Sequence, residues 1–232
     1  MREKPNIHFC SIGLRLPQIT LETLNVLKKT KKIFLFIEDN NIDRFLEINK
    51  LKDKAETMSH SYDNNFSKIS DEIIKKALKE KDIAILSYGY PSFINGLWNY
   101  VLQKAALKNI NVNLINAIGS LNPLLHLAKF YEIPKTGLHF FNAIDIKSSK
   151  DIDLNRHIPC FILNPHNLKQ NKKSELINVL NKALENKLFI YLVEAASAGG
   201  FMDNVIEVKN IKQLNRHINV RNTLLITDKK IN

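Results

Sequence analysis

The chain has 232 residues, with 34 Lys and Arg against 23 Asp and Glu, for a formal net charge of +11. At 44% hydrophobic and 25% charged it has the balance of a globular protein with a sizeable core, in one large domain or two small ones, which excludes a disordered chain. No apolar run approaches the length of a membrane span, and Met1-Arg2-Glu3-Lys4-Pro5 leads into a strand-like run with no signal-peptide pattern, so a cytoplasmic protein with no membrane partner is expected.

Asn6 to Ile12 reads as a strand ending at Gly13. Thr20 is placed to cap a helix with Leu21, Leu24 and Leu27 on one face and Glu22 near its positive end. Lys32 to Ile37 reads as a short strand and Ile42 to Ile48 as a helix. Ser70 is the expected cap of a helix over Asp71 to Lys79, with Asp71 and Glu72 in its first turn. Then come a strand from Asp82 to Ser87, a helix from Phe93 to Lys108, a strand from Asn111 to Ile115 and a helix from Leu121 to Phe130. Trp98, the single tryptophan, is expected to anchor its helix in the core. Apolar strands alternating with helices predict a mainly parallel sheet covered on both faces.

Ile133-Pro134-Lys135-Thr136-Gly137 is the expected linker, because Pro and Gly punctuate it and the periodic pattern stops. This divides the chain into an N-terminal α/β domain, 1–133, and a smaller C-terminal α/β domain, 134–232. The second half reads as short strands at Leu138 to Phe141, Pro159 to Leu163, Leu188 to Leu192, Asn204 to Val208 and Thr223 to Ile226, with one helix over Lys172 to Glu185. Fewer helices per strand predicts more antiparallel pairing, hence a mixed sheet. Cys10 and Cys160 each lie in an apolar run and read as buried free thiols rather than a disulfide or metal site. The seven histidines show no metal-ligand spacing on a helix, and His126 is expected to face the core. Lysines such as Lys28, Lys29, Lys31, Lys75, Lys76 and Lys79 are spread along helices with no basic block. Most of the charge therefore reads as solvated helix faces, and nucleic acid is not the favoured partner.

Only seven glycines occur, yet Gly13, Gly89 and Gly119 each follow an apolar strand or nearly so. Their segments are Ser11-Ile12-Gly13-Leu14-Arg15-Leu16-Pro17, Ser87-Tyr88-Gly89-Tyr90-Pro91-Ser92-Phe93 and Ala117-Ile118-Gly119-Ser120-Leu121-Asn122. Parallel strands put such loops on one edge of the sheet, where ligands bind. One loop of this kind reads as an ordinary turn; three in one half-chain favour a shared pocket. Gly89 lets the backbone turn freely, and Pro91 stiffens the loop. Ala195 to Gly200 reads as a flexible connection between two strands, without the Lys-Ser/Thr end of a phosphate loop.

These three segments, followed by Gly137-Leu138-His139-Phe140-Phe141-Asn142-Ala143-Ile144-Asp145, resemble the tetrapyrrole methylase superfamily of two-domain S-adenosylmethionine (SAM) methyltransferases. The resemblance covers about residues 6 to 165. Tyr88-Gly89-Tyr90-Pro91 and the Gly137 to Asp145 segment are most similar to the branch of borosin-type peptide N-methyltransferases. The resemblance implies SAM in a cleft between the domains, contacted by Gly13, Gly89, Tyr90, Pro91, Ile118, Gly119, Ser120, Phe141, Ala143 and Leu163. It also implies a homodimer.

Methyl transfer asks for little side-chain chemistry, because the sulfonium is already activated and rate comes from alignment in a dry cleft. A base is needed only for a protonated nucleophile. The catalytic candidates are Tyr88, which can orient an acceptor or take a proton through water, and Tyr62, which matches an upstream tyrosine of the borosin-type enzymes at a different spacing. Tyr88 and Tyr90 also read as amphipathic rings filling a pocket wall. The expected function is SAM-dependent methylation of a small molecule or peptide, with corrinoid and ribosomal RNA acceptors as alternatives. Four departures support a second class, a SAM-binding or interaction protein without transfer. Arg15-Leu16 stands where the family usually has a second glycine. Asn116-Ala117 replaces the usual Pro-Gly, and Ser92 the usual Gly. Ser67-Lys68-Ile69-Ser70-Asp71-Glu72 lacks the Arg and Tyr of the borosin-type helix.

Overall fold

The computed structural model describes residues 4–37, 41–58, 66–93, 96–148, 150–152, 154, 158–167, 170–196, 202–210, 214, 217–219 and 222–231. Tyr62 lies outside them. The chain packs as two compact units, Met1–Ser120 and Leu121–Asn232.

The first unit is built on β1 (Asn6–Ser11), β2 (Lys32–Leu35), β3 (Ala55–Thr57), β4 (Asp82–Ser87) and β5 (Asn111–Leu114), with α1 (Leu21–Lys29), α2 (Ile42–Ile48), α3 (Phe66–Glu80) and α4 (Gly96–Leu107) between them. The strands form one parallel sheet in the order β3-β2-β4-β1-β5. Alternate side chains along a strand point to opposite faces, and β4 shows the consequence. Ile83 and Ile85 join Phe9, Ile73, Ala77 and Val101 in one buried cluster, against α3 and α4. Ala84 and Leu86 join Cys10, Ile33, Leu27 and Leu46 in another, against α1 and α2. Both faces of the sheet are therefore covered, as continuous apolar strands require.

Thr20 caps α1 as expected, its Oγ1 accepting from the Thr23 backbone N–H at 3.0 Å. Ser70 does not cap α3. That helix begins four residues earlier, at Phe66, and Ser70 is buried within it, its hydroxyl donating to the Ser67 carbonyl at 2.7 Å. Phe66 and Ile69 pack on the core, so tertiary burial extends the helix past the local capping signal. The edge strand β3 is absent from the sequence reading. It is three residues long and pairs with β2 through Ile33 and Ala55, just after Lys54, whose ammonium donates to the Lys28 and Thr30 carbonyls at 2.8 and 2.7 Å. Lys76 is not a simply solvated lysine: it sits 4.5 Å over the Phe34 ring and pairs with Glu56.

The second unit holds α5 (Leu121–Leu127), β6 (His139–Asn142), β7 (Cys160–Leu163), α6 (Gln170–Glu185), β8 (Phe189–Glu194), β9 (Asn204–Glu207) and β10 (Thr223–Thr227). Its sheet has the order β6-β7-β10-β8-β9. Only β6 and β7 are parallel; β10 pairs antiparallel with β7 and β8, and β8 with β9. The mixed sheet is as expected. Ile162, Ile190, Leu192, Leu224 and Ile226 from one face pack against Leu176, Val179, Leu180 and Ala183 of α6. On the other face Phe161 stacks on Phe140, ring centroids 5.2 Å apart. His126 does not face the core: it is exposed, edge-on to Tyr131 at 6.3 Å. Most of the Ala195 to Gly200 stretch lies outside the described residues. No helix among the described residues is long and apolar enough to cross a membrane.

Cys10 and Cys160 are both free and buried. Burial pushes each thiol up to about 12, with the Glu22 carboxylate adding to the rise at Cys10. Thiolates are the reactive species, so an aromatic disulfide reagent at pH 8 is expected to modify neither cysteine in the native protein and both in denaturant. Rapid native modification of either would contradict this packing.

Candidate functional site

The carboxyl ends of β1, β4 and β5 carry the three glycine loops, on adjacent strands at the centre and one side of the sheet. In the first loop the Gly13 N–H donates to Ser11 Oγ at 2.9 Å, and the Leu14 N–H to Gln18 Oε1 at 2.8 Å. Gly13 takes a φ of +75°, and a Cβ there would lie 2.8 Å from Gln18 Cβ. Both the left-handed backbone and the close side chain demand glycine. The second loop hangs on the first: the Gly89 N–H donates to the Gly13 carbonyl at 2.8 Å. The third approaches the second from the other side. A Cβ on Gly119 would lie 2.9 Å from Tyr90 Cβ, and the Tyr90 hydroxyl donates to Asn116 Oδ1 at 2.9 Å. The three loops therefore converge, with the Gly89 loop in the middle.

The room in this cluster lies beside Gly89. Its φ is +67°, yet among the described residues no atom beyond its two chain neighbours comes within 4 Å of the place a Cβ would take. Here glycine is needed for the turn, and the space beside it is open. Pro91 is buried, Ile118 is 43% exposed and Ser120 is half-buried. The two tyrosines of the loop differ. Tyr88 is half-buried and packs on the core cluster that contains Cys10 and Leu86. Tyr90 spends its hydroxyl on Asn116, so it ties two loops together.

The remaining candidates belong to the second unit. Ala143 is fully buried in the core cluster that holds Leu176 and Val179, Phe141 packs partly buried against that cluster, and Leu163 is 6% exposed. With their side chains committed to the core, Ala143 and Leu163 have mainly backbone to offer a ligand. Sequence reasoning missed Ser11, Gln18 and Asn116, which hold the loops. Ser11 has a legible signal, a hydroxyl two residues before a glycine in a turn. Asn116 reads in the sequence only as a departure from the usual proline. Gln18 carries no signal in the sequence. Among the described residues no group of three or more His, Cys, Asp or Glu is arranged to hold a metal ion.

No protein-family profile matches this chain, and no curated protein matches it by sequence. Solved structures do match in shape. The methyltransferase CobJ superposes with a TM-score of 0.71 at 11% identity, over 99% of this chain and 98% of its own. Diphthine synthase gives a TM-score of 0.67 at 14% identity, covering 98% of this chain and 91% of its own. Uroporphyrin-III-C-methyltransferase from Thermus thermophilus gives 0.67 at 14% identity, covering 97% and 92%. The parallel sheet with its convergent loops and the mixed sheet that follows it make up the same α/β fold as these structures.

Proposed function

We propose that this protein is a SAM-dependent methyltransferase acting on a small molecule or a peptide. The observation that carries the reading is the convergence of the three glycine loops, with open space beside Gly89, in a chain with the fold of methyltransferases. Such a cradle suits a cofactor held largely by backbone groups. Bound SAM supplies a methyl group already activated on a sulfonium. The chain's own residues then have to bind, orient and keep water out. On this reading Gly13, Gly89, Tyr90, Pro91, Ile118, Gly119 and Ser120 contact the cofactor, as do Phe141, Ala143 and Leu163. Tyr88 orients the acceptor or takes its proton, with Tyr62 as the second candidate. A peptide acceptor follows from the borosin-type resemblance of Tyr88-Gly89-Tyr90-Pro91. The homodimer belongs to the same reading, and Tyr131 and Ile133, 73% and 72% exposed, are apolar surface that supports it.

A second reading, a SAM-binding protein without transfer, is favoured by Arg15-Leu16 and Ser92 in loops where the resembled family carries glycine. Asn116 no longer counts toward it, because its side chain has a use as the acceptor for Tyr90. Calorimetric titration with SAM and with S-adenosylhomocysteine is the first test, and micromolar binding of both is expected. Incubation with methyl-labelled SAM and a peptide library, read by mass spectrometry, then separates the two readings. A labelled product supports transfer. Binding without product for any acceptor class favours the second reading, and no binding of either ligand overturns both.

A further inference from the structure

β6 and β7 run side by side in parallel, with Asn142 opposite Leu163 at their carboxyl ends. The chain turns at once after each. Ala143–Asp145 forms a short 3-10 turn after β6. After β7, Asn164 takes a left-handed φ of +53° and leads into a second short turn, Pro165–Asn167. These two turns pack on each other. At this edge Asn142 Oδ1 and His166 Nδ1 are buried without a hydrogen-bond partner, and no other side-chain atom among the described residues is in that state.

A buried polar atom left unpaired costs roughly 1–3 kcal/mol, and native proteins leave few of them. Two at one sheet edge, at the ends of neighbouring parallel strands, point to a partner that arrives from outside the chain. The atoms define its chemistry. The Asn142 carbonyl oxygen only accepts, so it asks for an N–H donor. Burial lowers the basicity of His166, which favours the neutral ring, and in its Nδ1–H tautomer that nitrogen gives a hydrogen bond to an aromatic ring nitrogen. An amino group beside a ring nitrogen on a flat heterocycle meets all of these demands.

We infer that Asn142 and His166 are specificity residues that read an amino-substituted heterocycle, which under the proposed function is the adenine of SAM. The inference rests on that reading. The test is calorimetric titration of the wild type, Asn142→Leu and His166→Phe with S-adenosylhomocysteine and with S-inosylhomocysteine, in which a carbonyl replaces the amino group. The wild type is expected to prefer the adenosyl ligand by about tenfold or more, the scale of one buried hydrogen bond. Asn142→Leu is expected to bind that ligand about tenfold more weakly and to lose the preference. The ring nitrogen beside that position that both ligands keep as an acceptor is N7, so with His166 on N7 the His166→Phe variant should weaken both ligands. Thermal melts report folding, and a merely structural role would change them without changing the preference. Equal wild-type affinity for the two ligands, or an unchanged preference in Asn142→Leu, overturns the inference and leaves the proposed function standing. Wild-type failure to bind SAM or S-adenosylhomocysteine overturns both.

Discussion

Gly89→Asp is expected to abolish binding of SAM and S-adenosylhomocysteine, by about a hundredfold or more (some 2.8 kcal/mol), while the protein stays folded. A side chain at a φ of +67° costs roughly 1–2 kcal/mol of backbone strain. Among the described residues no steric clash adds to that, because no atom beyond the two chain neighbours lies within 4 Å of the new Cβ. The carboxylate instead enters the open space where the ligand is proposed to lie. Gly89→Ala separates the two effects: it carries the strain with a minimal side chain and is expected to lose stability and keep most of its affinity. Gly119→Ala makes the opposite contrast, since its Cβ would press on Tyr90 at 2.9 Å and force the second and third loops apart. Calorimetry with circular-dichroism melts on the three variants checks the scheme. Wild-type affinity in a folded Gly89→Asp would remove this loop from the site.

The largest expected stability loss belongs to Phe9→Ala, at about 3–5 kcal/mol. Phe9 is 1% exposed on β1, the strand between β4 and β5 that carries the first loop. Its ring meets Trp98 of α4 edge-on, with centroids 4.8 Å apart. Removing it opens a cavity in the layer between sheet and helices and takes one ring contact from Trp98. Denaturant unfolding followed by the fluorescence of Trp98 is the direct measurement, since the reporter sits at the lesion. A loss below about 1 kcal/mol would mean that the cavity collapses freely, against the usual behaviour of close-packed cores.

Position and type of nearly every element were legible from residues alone, for a local reason. β4 is a continuous apolar run bounded by polar residues and a glycine, and α1 shows its Thr20 cap and its inward Leu27 within ten residues, although Leu21, expected on the same face, is 81% exposed. The alternation of such strands with helices determined the parallel sheet, and that in turn put the three glycine loops on one edge. The buried state of Cys10 and Cys160 came from their apolar neighbours in the same way. The gain and loss of helix ends did not: α3 starts at Phe66 because Phe66 and Ile69 find a core to bury in, a fact about distant residues.

The site divides along the same line. Sequence determined that Gly13, Gly89 and Gly119 are turn residues following strands, because glycine after an apolar run has few other uses. Only the tertiary structure decided that each has a different duty. Gly13 makes room for Gln18, Gly119 lets the third loop press on Tyr90, and Gly89 leaves space that no other described residue enters. It also decided that Tyr90 serves as a tether and that Asn142 and His166 hold unpaired atoms at a sheet edge. Those roles depend on contacts between segments far apart in the chain. A local pattern records the backbone conformation a residue favours, and the fold alone determines what that residue meets.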